Sequence, residues 1–122
     1  MSTSAAQASA FYRDATRFGA VWTLGDTEGI PAPVNGSGQR AMPFWSARSR
    51  VERVIANVAA YDGFQPVEVP LDDFTSRWLP GLQSDGFLVG LNWSGTRATG
   101  YDLTPAEVIS ALESVSIESP QT

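Results

Sequence analysis

Three of the chain's eight cationic side chains, Arg48, Arg50 and Arg53, fall within six residues of "MPFWSARSRVERVI" (42–55), directly after the pair Phe44-Trp45. Guanidinium groups hold carboxylates and phosphates through paired N–H donors, so this cluster is a natural candidate for an anion site. The competing reading is a solvated helix face. Ala47, Val51, Val54, Ile55 and Val58 share one side of a helix by the i, i+3, i+4 rule, which sets Arg50, Arg53 and Asn57 on the other side and lets Arg48 reach Glu52. On that pattern the cluster reads mainly as the wet side of a helix. The anion alternative rests on Arg48 and Arg50 at the helix start, beside free backbone N–H groups.

The residue types that are missing restrict catalysis further, because the sequence holds no Cys, no His and no Lys. That removes a Ser-His-Asp arrangement, imidazole and thiolate metal ligands, a Schiff base and the lysine of a phosphate-binding loop. What remains is carboxylate or Tyr chemistry, or a hard cation held by oxygens. Asp72 and Asp73 are neighbours on a predicted helix, about 100° apart, so they cannot face each other as a glycosidase pair, and no third acid follows at metal-binding spacing. Ser37 and Ser94 sit beside glycines, but the chain has no base suited to activating them. No catalytic residue, cofactor or metal is therefore assigned.

The residues expected to form a binding surface are Trp45, Arg48, Trp93, Arg97 and Tyr101. Trp93 ends a strand beside a Ser-Gly turn in "NWSGTRATGY" (92–101), where its ring is expected to project past the sheet. Trp45 and Arg48 join it if the second strand ends at the same edge. Trp, Tyr and Arg are the types that dominate interface hot spots. The ordinary alternative is that Trp45 and Trp93 are buried for packing.

The elements that position these residues alternate along the chain. Ser4 with Gln7 fits a capping box, Phe11, Ala15 and Phe18 recur at helical spacing, and Gly19 stands where a left-handed cap would. "AVWTL" (20–24) and "AMPFW" (41–45) read as strands around a long surface loop over 25–40, with Pro43 suited to an edge or bulge. Ser46, or Ser49 with Glu52, is expected to cap the second helix. "FQPVEVPL" supplies a third strand, and Asp72 caps a third helix that buries Leu71, Phe74 and Trp78 until Pro80 ends or kinks it. "FLVGLNW" (87–93) reads as a central strand with Phe87, Val89, Leu91 and Trp93 on one face and Leu88 and Gly90 on the other. Thr104, Pro105 and Glu107 combine an N-cap, a first-turn proline and a capping-box acid before a final amphipathic helix. The whole predicts one α+β domain over 1–122, a single layer of mixed sheet with about four to five strands packed with about four helices, and frayed ends at 1–5 and 117–122. Trp22 and Trp78 are expected in its core.

Apolar residues make up 43% and charged residues 17%, which is globular composition, and the net charge of −5 sets the overall field against nucleic acid and anionic lipid. "MSTSAAQASAF" lacks the basic and apolar regions of a secretion signal, so a cytoplasmic location is expected, with neither nucleic acid nor a membrane as partner. In their order, "FYRDA", "VWTL", "MPFWSARSRVERVI", "VEVPLDDFTSRWLPGL" and "DGFLVGLNWSG" resemble a bacterial family, domain of unknown function 2750, from about Phe11 to Leu112. That resemblance carries over no substrate, cofactor or catalytic residue. "PFWS" before a helix and the late strand "GFLVGLN" are also similar to the secretion-associated SseB-type domain, which implies a non-enzymatic interaction module. The function expected is thus a non-catalytic binding or protein-interaction module, its partner another protein or a second copy of the chain. The alternative is a carboxylate-dependent enzyme acting on a sugar or phosphate compound.

Overall fold

Ala8, Phe11 and Ala15 recur about one turn apart, and in the computed structural model, which describes residues 3–94 and 99–118, they form the buried stripe of helix α1 (Thr3–Phe18). Phe18, expected to extend that stripe, is 63% exposed, with the Arg17 guanidinium 5.3 Å from its ring centroid. The helix stops at Gly19, whose φ of +71° lets its N–H bond the Ala15 carbonyl at 2.9 Å. Gln7, expected to serve a capping box with Ser4, instead donates its side-chain amide to the Ser94 hydroxyl, while the Ser4 side chain lies outside what is described.

Strands β1 (Ala20–Gly25) and β3 (Gln65–Pro70) pair antiparallel. Strand β2 (Ala41–Phe44) runs parallel to β4 (Leu88–Ser94), and β4 is antiparallel to β5 (Thr99–Leu103), so β4 is central as its apolar faces predict. The mixed sheet is thus divided into a two-stranded and a three-stranded part, joined at the Trp22–Trp45 pair, whose backbone N–H groups each donate to the other's carbonyl at 2.7 Å. Proline explains the division. Continuing that antiparallel register by two residues would oppose Leu24 to Pro43, and Pro43 has no N–H to donate. The Thr23 hydroxyl takes over, donating to the Pro43 carbonyl at 2.8 Å.

Helix α2 (Arg48–Asn57) follows the second strand, and a 3-10 turn (Ala59–Tyr61) follows it. Ala47, not Ser46 or Ser49, occupies its N-cap, with no side-chain cap bond. After β3 the chain enters α3 (Leu71–Asp73), a π-helical turn (Phe74–Trp78) and α4 (Leu79–Asp85) as one helical run. Asp72 does not cap it: Pro70 does so by position, and Asp72 and Asp73 lie in the first turn, where carboxylates favour the helix dipole. Pro80 neither ends nor breaks the run. Lacking the N–H that would return to the carbonyl four residues back, it is accommodated by the widened turn before it, where the Leu79 N–H bonds the Phe74 carbonyl. Gly86, at φ +73°, ends α4. Helix α5 (Pro105–Glu118) starts with the expected capping box: Thr104 gives its N–H to Glu107 Oε1 at 2.9 Å, and the Glu107 N–H returns to the Thr104 hydroxyl at 3.2 Å. The Thr104 N–H and, next, its hydroxyl, which donates to the same oxygen at 2.9 Å, hold the Glu107 carboxyl below its ordinary range. Helix therefore reaches into both segments expected to fray, and residues 1–2 and 119–122 lie outside the described part.

The sheet buries both faces. On one, Val21, Phe44, Val89 and Leu91 meet Phe11, Phe74, Leu79 and Val108. On the other, Leu24, Ala41, Trp45 and Trp93 meet Val51, Val54, Val58 and Tyr61. Trp22 and Trp78, expected to be core residues, are only partly buried at the edges of these clusters. Trp78 packs edge-on against Phe44 at 5.7 Å. The loop expected over 25–40 is pinned rather than free: Asn35 Oδ1 accepts the N–H groups of Ser37 and Gln39, and its amide donates to Asp102 at 3.1 Å. Among the described residues no helix is long and apolar enough to cross a membrane.

One buried group in this core is unpaid for by any partner: the Tyr12 hydroxyl has none among the described residues. Burial, then the nearby Tyr101 and Glu107, push its pKa from 10.0 up to about 12. The folded chain thus retains a proton that the unfolded chain loses, so stability is present below pH 10 and falls as pH rises toward about 12. Tyr12→Phe is expected to leave stability at pH 7 unchanged or raised and to flatten that alkaline limb. Urea titrations at both pH values check this; a loss above about 1 kcal/mol at pH 7 would mean the hydroxyl is bonded after all.

Candidate functional site

The site is built where α2 crosses the end of β4, and it begins with an irregularity in that strand. Asn92 is buried at φ +50°, the left-handed region that Asn tolerates better than other side chains, and the pairing of β4 with β5 shifts register between Leu91 and Ser94. A bulge resets the alternation of side chains, so Trp93 does not continue the face of Val89 and Leu91 as expected. It joins the opposite cluster, and its indole folds back over Gly90, where an added Cβ would overlap ring atoms Cε2, Cζ2 and Nε1.

Hydrogen bonds fix this arrangement. Asn92 Oδ1 accepts the Ser46 N–H at 2.9 Å, and its amide donates to the Gln7 carbonyl at 3.2 Å and the Ser46 hydroxyl at 3.1 Å. Ser46 in turn donates to Asp14 at 3.2 Å, which explains why it is not free to cap α2. The Trp45 indole donates to the Trp93 carbonyl at 2.8 Å, and the Trp93 indole to Asp102 at 2.9 Å. The stretches "PFWS" and "GLNWS" are therefore one buried polar unit, with every indole N–H in it satisfied.

Beside this unit lies a cavity of about 210 Å³. Trp93 and Val54 give it an apolar floor, Asn92 and Ser94 close the β4 side, and Arg50, Arg53 and Asn57 form the α2 side. At 100° per residue these three α2 residues lie within about 60° of one another and border Val54, so they flank the apolar stripe rather than oppose it. Arg50 is half-buried there, and among the described residues neither Arg50 nor Arg53 has a carboxylate partner. Arg48, by contrast, is engaged: its Nε lies 3.1 Å from Glu52, and its guanidinium carbon sits 5.6 Å from the Trp22 ring centroid. Among the described residues, the two arginines of the cluster without a carboxylate partner are Arg50 and Arg53, not Arg48 and Arg50.

Of the residues expected to form a binding surface, Trp45 and Trp93 are brought together, but buried, so the Trp93 ring does not project past the sheet. Tyr101 pairs with Leu91 and so stands on the opposite face, 38% exposed. Arg97 lies outside the described residues. Sequence reasoning missed Asn92, although a lone amide inside an apolar central strand was a legible signal, since such a group must find partners. Two larger hollows have different walls. One of about 630 Å³ is lined by Leu71, Ile109 and Leu112 with Asp72 and Glu113, and one of about 520 Å³ by Gly25, Ile30 and Val67. Among the described residues neither has a cationic wall. No group of three or more His, Cys, Asp or Glu able to hold a metal occurs among the described residues.

No curated protein and no solved structure matches this chain. One family model does, over residues 8–112, and it spans the α1 stripe, the joined "PFWS" and "GLNWS" stretches, the cavity and the Thr104 capping box; the similarity to SseB-type domains is no part of that match. The chain therefore belongs to the family described as protein of unknown function DUF2750.

Proposed function

We propose that the protein is a non-catalytic binding module whose ligand site is the cavity between α2 and the end of β4. The observation that carries this reading is the composition of the walls. Two guanidiniums without carboxylate partners among the described residues share an apolar floor with two amides and a hydroxyl, and the β4 side is tied down by the Asn92 network. Among the described residues, the only titratable side chains in that lining are arginines, which do not exchange protons near neutral pH. Such a site orients and holds a ligand, and among the described residues of its lining no acid or base stands ready to activate the Ser94 hydroxyl, which favours binding over the carboxylate-dependent alternative.

Asn57 is exposed at the last position of α2, so Asn57→Trp fills the cavity mouth without disturbing the core. With a panel of small acids, amines, alcohols and sugars, amide and indole NMR spectra are expected to show shifts at Trp93, Ser94 and Asn57 for at least one compound in the wild type and none in Asn57→Trp. Shifts gathered at either larger hollow, or a panel that leaves the cavity signals unmoved, would overturn the reading.

A further inference from the structure

Resting on that reading, we infer that the ligand is a small organic oxyanion, a carboxylate or phosphate monoester whose charged end is held by Arg50 and Arg53 and whose apolar body lies on Trp93 and Val54. Three observations lead to it. First, Arg50 is half-buried yet faces no acid among the described residues, and a partly desolvated cation needs a counter-charge or strong acceptor. Secondly, Arg50 and Arg53 stand three apart on one helix, a like-charge arrangement that disfavours the helix when nothing negative bridges it. An oxyanion between them reverses that repulsion, and each guanidinium can offer two parallel N–H donors.

The third observation is size and lining. A volume of about 210 Å³ has room for several waters, more than a bare oxyanion fills. The remaining space is walled by the Val54 side chain and the Trp93 indole, both buried, which suits a hydrocarbon or ring body. The Asn57 amide and Ser94 hydroxyl stand at the polar rim and can add donors to the oxyanion. The chain's net charge of −5 works against long polyanions, so the local cation pair selects a compact anion rather than a nucleic acid strand.

Calorimetry and indole NMR on the full chain, with benzoate, phenyl phosphate, inorganic phosphate and neutral benzamide as probes, test this. Benzoate or phenyl phosphate is expected to bind and move the Trp93 indole signal, and which of the two binds tighter separates a carboxylate from a phosphate ligand. Arg50→Gln and Arg53→Gln are each expected to weaken that binding roughly tenfold or more, with the melting temperature unchanged or raised, because both lie outside the core and neither has a carboxylate partner to lose among the described residues. Benzamide binding as well as benzoate, or Arg variants that bind like the wild type, would overturn the oxyanion while leaving the cavity as a ligand site. Inorganic phosphate binding as tightly as phenyl phosphate would remove the apolar body from the proposal. Cavity signals moved only by amines or sugars of the wider panel would likewise refute the oxyanion alone, whereas signals unmoved by every compound would overturn both readings.

Discussion

Trp45→Ala is expected to destabilise the protein by about 3–5 kcal/mol, the range for removing a large buried aromatic. Trp45 is fully buried, and it does three things at once. Its backbone is half of the pair that joins the two parts of the sheet, its ring fills the cluster under α2, and its indole N–H satisfies the Trp93 carbonyl. Trp45→Phe separates these roles, since it keeps most of the apolar volume but leaves a buried carbonyl unpaired, and it is expected to cost about 1–3 kcal/mol. Chemical denaturation of both variants checks the ranking. A Trp45→Ala protein within about 1 kcal/mol of wild type would mean the cluster under α2 contributes little, contrary to its burial.

Gly90→Ala is the second large effect. The new Cβ would occupy space filled by the Trp93 indole, and that ring cannot simply swing aside because it is buried and bonded to Asp102. Either the strand shifts against Pro43 on β2, or the indole is expelled, and the latter costs about 3–5 kcal/mol, as loss of a buried aromatic does. The mechanism is distinguishable from a generic weakening of the strand by a double-mutant cycle. In a Trp93→Ala background the clash is gone, so Gly90→Ala is expected to add less than about 1 kcal/mol. Costs that simply add in the double variant would show that Trp93 does not lie over Gly90.

The two substitutions also bear on the cavity, because Trp93 is its floor. Trp45→Phe should disturb ligand binding through the Trp93 backbone, whereas Tyr12→Phe, on the opposite face, should not. This contrast helps to separate loss of a binding surface from loss of fold in any binding assay on these variants.

Several features were legible in the residues alone because they depend on local chemistry. The capping box at Thr104 and Glu107, the left-handed stop at Gly19, the Arg48–Glu52 pair and the buried Val51 and Val54 of α2 each follow from spacing along one helix, where neighbours are fixed by a 3.6-residue turn. The α+β class and the central position of β4 follow from where the apolar runs sit. The family was legible too, in the order of its motifs.

Tertiary structure decided the rest, and in each case a partner distant in sequence overruled a local preference. Ser46 has the chemistry of an N-cap, but Asn92 and Asp14, 46 and 32 residues away, claim its N–H and hydroxyl. Trp93 alternates in sequence with Val89 and Leu91, yet the left-handed Asn92 inserts a bulge that turns it to the other face. Trp22 and Trp78 are as apolar as Trp45, but burial depends on which element covers them, and only the assembled sheet and helices settle that. The arginines show the same division most clearly. Sequence determined that Arg48, Arg50 and Arg53 share a helix and that Arg48 reaches Glu52, but only the crossing of α2 over the end of β4 set Arg50 and Arg53 on the wall of a cavity, because what faces a side chain across the fold depends on what lies within a few ångströms in space.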